Sequence, residues 1–113
     1  MSLDEFLGRR YNFDKYNCGH FVAEVWQHLT GENIDELCKS FVQSDSETYF
    51  KLFKQRRKLR APESPCVVFL QAPKLLPHAG IYVDNRVLHL TENGAKFDDL
   101  SILRVYYRLS YYK

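Results

Sequence analysis

A stripe of apolar residues at helical spacing follows the first cysteine of the chain. Asn17 precedes the stripe, and its side chain suits the N-cap of a helix. Gly31 follows the stripe and suits the left-handed conformation that ends many helices. The pattern therefore predicts a helix from Cys18 to about Thr30, whose buried residues are Phe21, Val22, Val25, Trp26 and Leu29.

Two further capping patterns predict a second and a third helix. Asn33 with Glu36 precedes one apolar stripe, and Ser44 with Glu47 precedes the next. The second helix is expected to bury Ile34, Leu37, Cys38 and Phe41. The third is expected to carry Tyr49, Phe50, Phe53 and Leu59 on its apolar face.

The hydrophobic period changes in the second half of the chain. Residues 61–65 contain two prolines and interrupt the helical pattern. The short apolar run from Cys66 to Leu70 is typical of a buried strand, and Ile102 to Leu109 predicts a last strand that Tyr111 continues. Helices followed by strands indicate the α+β class, with N-terminal helices packed on a small antiparallel sheet.

A hairpin is predicted between these two strands. The segments His78–Val83 and Arg86–Thr91 alternate in polarity and flank the dipeptide Asp84-Asn85. A two-residue turn of Asp or Asn type favours a tight hairpin. With this turn, Val83 is expected to pair with Arg86, and the register of the whole hairpin follows by counting.

The predicted register brings two histidines together. His78 and His89 fall on one face as diagonal neighbours, roughly 7–8 Å apart at the backbone and within side-chain reach. Gly80 is expected opposite His89, where the missing side chain leaves room beside the imidazole. A shift by one residue would place the histidines on opposite faces.

Composition limits the classes of function. The chain has 113 residues, 45% of them hydrophobic, which suits one domain over residues 1–113. The formal charge of +2 is too small to indicate a nucleic-acid partner. No apolar run approaches the ~18 residues of a membrane span, and Met1 to Arg10 has no apolar core typical of a secretory signal. We therefore expect no transmembrane segment.

The three cysteines, Cys18, Cys38 and Cys66, are far apart in sequence and odd in number. A disulfide framework is therefore not expected, and Cys38 and Cys66 fall on predicted core positions. His20 is interpreted as a partly exposed side chain or hydrogen-bond donor near Cys18, and His28 as a surface residue. The spacing of cysteines and histidines matches no closed zinc site, so no metal and no cofactor are expected.

Cys18 is the candidate nucleophile because it begins a predicted helix. Unpaired backbone N–H groups and the helix dipole at that position lower the pKa of a thiol and can bind a developing oxyanion. With His78 as a base and His89 orienting it, the three residues have the logic of a catalytic triad.

A cysteine at a helix start, then His78-Ala79-Gly80-Ile81-Tyr82-Val83, then His89, resembles the NlpC/P60 superfamily of papain-like thiol hydrolases. The resemblance implies a papain-like minimal domain in which Cys18 is the nucleophile, His78 the base and His89 the third polar residue. It also implies a substrate or oxyanion role for Gly19 and for one tyrosine, either Tyr11 or Tyr16, of which Tyr11 is favoured. Most members cleave amide bonds in bacterial cell-wall peptides, and phage tail proteins carry related domains. A peptidoglycan endopeptidase in the cytoplasm or on a virion is the expectation.

Two alternatives stay open. The spelling Asn17-Cys18-Gly19-His20-Phe21-Val22 is also similar to lecithin-retinol-acyltransferase-like proteins, which act on lipid acyl groups but place their histidines before the cysteine. The usual Asp-Cys-Ser-Gly of NlpC/P60 is absent, which keeps a catalytically silent binding or assembly module in view.

The basic run Lys51–Arg60 is interpreted as a solvated helix face, or as a site for an anionic polymer.

Overall fold

The computed structural model describes residues 3–12, 15–35, 56–73 and 78–113. Within these ranges the chain has two α-helices, a short 3-10 helix over Asp4–Gly8, and one antiparallel sheet. The α-helices are α1 (Cys18–Thr30) and α2 (Leu100–Tyr106). The strands are β1 (Lys58–Leu59), β2 (Cys66–Gln71), β3 (His78–Val83), β4 (Arg86–Thr91), β5 (Gly94–Asp99) and β6 (Arg108–Tyr112). The predicted α+β class is confirmed.

The six strands lie in the order β1-β6-β2-β3-β4-β5, and each pairs antiparallel with its neighbours. β2 and β3 therefore lie at the centre of the sheet. This placement explains why Cys66 to Leu70 is a continuous apolar run, since both faces of β2 are covered.

Helix α1 begins and ends where the capping residues predict. The Asn17 side chain accepts hydrogen bonds from the N–H groups of Gly19 and His20, which satisfies two donors that have no partner within the helix. Gly31 takes the left-handed conformation with φ of 80°, which a residue with a side chain adopts only at a cost. The first residue of the helix is consequently fixed at Cys18.

The β3–β4 hairpin has the predicted turn and register. Asp84 and Asn85 both have positive φ, 54° and 64°, as a two-residue turn matched to strand twist requires. Val83 pairs with Arg86. The alternation along β3 then sends Ala79, Ile81 and Val83 towards α1.

The sheet separates two apolar clusters. One joins the inner stripe of α1, including Phe21 and Trp26, to Ile81 and Leu88. The other lies on the opposite face, where Leu103 of α2 packs with buried residues of β2, β4 and β6, namely Cys66, Val68, Leu70, Val87 and Tyr111.

The predicted last strand is wrong in its first part. Leu100–Tyr106 is helix α2, and strand β6 begins only at Arg108. Residues 100–106 are apolar on more than one side, because Leu103 is buried while Val105 and Tyr106 are exposed. A segment without a clear apolar face gives no period that separates helix from strand.

Strand β5, Gly94–Asp99, is absent from the sequence prediction. It lies at the edge of the sheet and has no fully buried residue, so its polarity does not alternate clearly. A usable signal was Asn93-Gly94, a dipeptide common at hairpin turns. The two turn residues are Glu92 and Asn93, and Thr91 pairs with Gly94 across them.

The third predicted helix is wrong at its C-terminal end. Leu59 belongs to β1 and pairs with Tyr111 of β6, so pairing with a sheet edge overrides the local helical pattern. The rest of that helix, residues 44–55, lies outside the described residues, as does most of the second helix. Asn33 does accept a hydrogen bond from the N–H of Asp35, as a cap would. Among the helices described, none is long and apolar enough to cross a membrane.

Candidate active site

Cys18 is the first residue of α1 and is 5% exposed. Three backbone N–H groups face its sulfur, those of Ala79, Cys18 itself and Gly19. The Ala79 N–H belongs to the peptide that follows His78, so the sulfur lies against the start of β3, one residue from the first histidine. Helix and strand are thus brought together at the point where the sequence predicted a nucleophile and a base.

The two predicted histidines are in direct contact. Nε2 of His78 and Nδ1 of His89 lie 2.8 Å apart, and the ring centroids are 5.1 Å apart at an angle of 62°. Nε2 of His78 is thereby engaged. Its Nδ1, the ring nitrogen nearer the backbone, takes no part in this contact.

Gly80 makes this contact possible. It pairs with His89 as predicted. A Cβ at this position would lie 3.0 Å from the His89 Cβ and 2.8 Å from Cγ1 of Val87. Real Cβ atoms do not come so close to their neighbours. Only glycine at position 80 therefore allows the observed spacing of β3 and β4 with both imidazoles in contact.

The chain of hydrogen bonds extends to a residue that the sequence prediction missed. Nε2 of His89 lies 2.7 Å from Oδ2 of Asp98, and Nζ of Lys96 lies 3.3 Å from the same oxygen. Asp98 pairs with Val87 in the β4–β5 ladder and Lys96 pairs with His89. Asp98 was missed because β5 was missed.

The expected lowering of the Cys18 pKa is wrong. Burial raises the pKa of the Cys18 thiol to about 12, although the three N–H groups that face the sulfur lower it. Desolvation disfavours the charged form, and here it exceeds the stabilisation from the N–H groups. The resting cysteine is therefore a neutral thiol.

The histidines are neutral as well. Burial, together with the neighbouring imidazole of His89, lowers the pKa of His78 to about 3. Burial also lowers the pKa of His89, although the hydrogen bond and charge of Asp98 oppose the shift. Burial alone would raise the pKa of Asp98, but the hydrogen bonds and charges of His89 and Lys96 hold it below its usual value. At neutral pH the site thus contains a thiol, two neutral imidazoles and one carboxylate.

The three candidate substrate and oxyanion residues differ in position. Burial raises the pKa of Tyr11, and the nearby Cys18 and Glu92 add to the shift. The Gly19 N–H donates to Oδ1 of Asn17 at 3.0 Å and also faces the Cys18 sulfur.

Tyr16 is directed elsewhere. Its hydroxyl donates to Oε1 of Glu24 at 3.0 Å, and its ring stacks on His20 at 6.2 Å. Burial and the Glu24 hydrogen bond raise the pKa of Tyr16 to about 12. The geometry thus favours Tyr11 over Tyr16 as the tyrosine beside the thiol.

The remaining histidines and cysteines have structural surroundings. His20 is partly exposed, as predicted, and its Nδ1 accepts a hydrogen bond from the Asn17 N–H at 3.1 Å. His28 is not a free surface residue: its ring is half-buried against Phe6, with centroids 5.1 Å apart. Cys66 is buried in β2 as predicted, and Cys38 lies outside the described residues. Within the described ranges, no three metal-ligating side chains form a cluster.

A surface cavity of about 420 Å³ lies at the end of β2 beside the C-terminus of α2. Its lining includes Gln71, Pro73, Arg104, Tyr106 and Arg108. Gln71 pairs with Arg108 and the adjacent Leu70 pairs with His78, so the cavity is at the same end of the sheet as the histidines.

No model of a known protein family matches the chain, and no curated protein matches it.

Proposed function

We propose that the protein is a papain-like thiol hydrolase that cleaves an amide bond, with Cys18 as nucleophile and His78 as general base. The observation that supports this most is the line of contacts from Asp98 through His89 to His78, because the N–H of the next residue, Ala79, faces the sulfur of a cysteine at a helix N-terminus. A buried line of polar side chains costs stability unless its groups are paired, and a base held near a thiol is what acyl transfer requires.

The reaction follows from the neutral resting state. As the Cys18 sulfur attacks the substrate carbonyl carbon, the thiol proton moves to Nδ1 of His78 and the S–C bond forms. The oxyanion that develops is stabilised by the Cys18 N–H at the helix N-terminus. The C–N bond then breaks, and the His78 imidazolium gives its proton to the leaving amine. Water, deprotonated by His78, hydrolyses the remaining thioester.

The proposed substrate is a peptide of the bacterial cell wall. This part of the proposal comes from the resemblance of the Cys18 and His78–Val83 segments to NlpC/P60 proteins, and it includes a tail-associated role in a phage. Tyr11, which lies near Cys18, and Glu92, which lies near Tyr11, are the side chains proposed to contact the peptide.

The test is amide cleavage on a panel of cell-wall peptides, followed by mass spectrometry of the products. We expect cleavage by the wild-type protein and loss of at least about 1000-fold in Cys18→Ala and His78→Asn. Cys66→Ala is the matched control, since it removes another buried thiol on the far side of the sheet and is expected to keep the activity. Full activity in Cys18→Ala would end the proposal.

A second candidate is acyl transfer or hydrolysis on lipids by the same site. The exposed Val105 and Tyr106 of α2, 75% and 70% exposed, favour it, because they line the cavity together with Arg104, and Ile102 on the same helix is 51% exposed. Apolar side chains flanked by arginine suit an interface with anionic lipid. Phospholipid substrates in the same panel decide between the two, since only this candidate predicts release of fatty acid.

The burial of Cys18 favours a third candidate, a catalytically silent binding module. A thiol of pKa about 12 is an inert group unless a base takes its proton during attack. Failure of every peptide and lipid in the panel, with Cys18 unmodified by acylating reagents, would favour this candidate.

A further inference from the structure

Resting on the hydrolase proposed above, we propose that Asp98 is a positioning residue: through His89 it holds His78 in the tautomer whose Nδ1 accepts the Cys18 proton. Asp98 does not touch the thiol. Its effect is carried by two contacts, from Oδ2 to Nε2 of His89 at 2.7 Å and from Nδ1 of His89 to Nε2 of His78 at 2.8 Å.

The direction of each hydrogen bond follows from the carboxylate. An ionised carboxylate only accepts, so Nε2 of His89 must carry the hydrogen. A neutral imidazole has one donor and one acceptor, so Nδ1 of His89 must accept. Nε2 of His78 then donates to it, and Nδ1 of His78 keeps a free lone pair.

The opposite arrangement would disable the base. If Nδ1 of His89 carried the hydrogen, Nε2 of His78 would accept it and Nδ1 of His78 would be protonated. A protonated Nδ1 cannot take the thiol proton from Cys18. One carboxylate therefore selects between a competent and an incompetent neutral site.

Burial makes this selection strong. His89 is 5% exposed, so water cannot readily replace Asp98 as the acceptor for its Nε2–H. A buried polar group that loses its partner is destabilised, and this redistributes tautomers that differ little in energy. Around His89 the titratable and charged groups are His78 on β3 and Lys96 and Asp98 on β5.

Lys96 fixes the carboxylate. Its Nζ lies 3.3 Å from the oxygen that His89 contacts, and its backbone is paired with His89 itself. Lys96 and His89 therefore hold Oδ2 from two directions. The edge strand β5 thus acts as a support for the base, which explains why a polar strand with no fully buried residue pairs with β4.

The experiment is nitrogen-15 NMR of histidine-labelled protein at pH 7, which distinguishes the two neutral tautomers of each ring. In the wild type we expect Nε2–H on both His78 and His89. In Asp98→Asn we expect a second tautomer at both rings and a fall in kcat of about 100-fold with KM unchanged. Asp99→Asn, which removes an exposed carboxylate from the next position of β5, should leave both tautomers and kcat unchanged.

The outcomes separate the two proposals. A wild-type His78 protonated at Nδ1, or tautomers identical in wild type and Asp98→Asn, would overturn the role of Asp98 even if the enzyme cleaves amides. Shifted tautomers in a protein that cleaves nothing would support the placement of Asp98 and refute the hydrolase. Because the wild-type spectrum alone can contradict the proposal, it stays testable if Asp98→Asn folds poorly.

Discussion

Replacing Gly80 by alanine should destabilise the protein and separate the two histidines. The added Cβ would lie 2.8 Å from Val87 Cγ1, 3.0 Å from His89 Cβ and 3.0 Å from the Leu88 carbonyl oxygen. Two of these atoms belong to rigid parts of β4, so β3 must move away rather than β4 adjusting a flexible side chain. Overpacking of this kind costs about 1–3 kcal/mol, and we expect about 2 kcal/mol.

The same movement should affect the site. A shift of several tenths of an ångström lengthens the 2.8 Å contact between His78 and His89 and weakens it steeply. Catalytic geometry tolerates little displacement, so amide cleavage should fall by at least about 10-fold in the folded variant.

Urea unfolding measures the loss of stability in Gly80→Ala, and Gly8→Ala is the matched control. A Cβ at Gly8 would meet nothing within 4 Å, so this variant should unfold within about 0.5 kcal/mol of the wild type. Equal stability of Gly80→Ala and Gly8→Ala would refute the close approach of β3 and β4 on which the histidine contact depends.

Three further predictions concern other parts of the site. Stability should fall on acidification below pH 6.5, because His78 binds a proton there in the unfolded chain but only near pH 3 in the folded chain. Urea unfolding between pH 7 and pH 5 should show a loss of up to about 1.4 kcal/mol per pH unit, and this loss should be smaller in His78→Asn. Asn17→Ala should lower the free energy of unfolding by about 1 kcal/mol through loss of the α1 cap, whereas Asn17→Asp should retain most of it; equal loss in both would contradict the cap. Tyr16→Phe should cost about 1 kcal/mol but keep the activity, because its hydroxyl contacts Glu24, and a large drop in kcat would place Tyr16 at the thiol after all.

The parts of the fold that were predicted correctly are those specified by local capping, turn and periodicity patterns. Helix α1 is specified by signals along its own length, namely the Asn17 cap, the apolar stripe and Gly31. The Asp84-Asn85 turn does the same for the hairpin, and its register placed His78 beside His89 by counting alone. These features depend on interactions between residues that are close in sequence, so the local sequence pattern is enough to predict them.

The elements that were wrong depend on distant partners. β1 exists because Leu59 meets the edge of β6, and α2 exists because Leu103 finds a cluster on the far face of the sheet. Neither partner is visible in the local pattern. A polar edge strand such as β5 has no apolar period at all, so Asp98 was lost with it.

The charge state of Cys18 could not be predicted for a related reason. The helix N-terminus and neighbouring histidines favour a thiolate, and these were visible in the sequence. The extent of burial around the sulfur depends on how α1 packs against β3, and burial raises the pKa to about 12. The proposed hydrolase would therefore use proton transfer during attack rather than a preformed ion pair.

The most direct test of the central claim is whether Cys18 forms a covalent acyl adduct with help from His78. The protein is mixed with the p-nitrophenyl ester of a blocked amino acid, quenched over time, and the modified peptide is identified by mass spectrometry. We predict an acyl group on Cys18 that forms about 100-fold more slowly in His78→Asn. Acylation of Cys18 at the same rate in both proteins, or no acylation of Cys18 at all, would contradict the account.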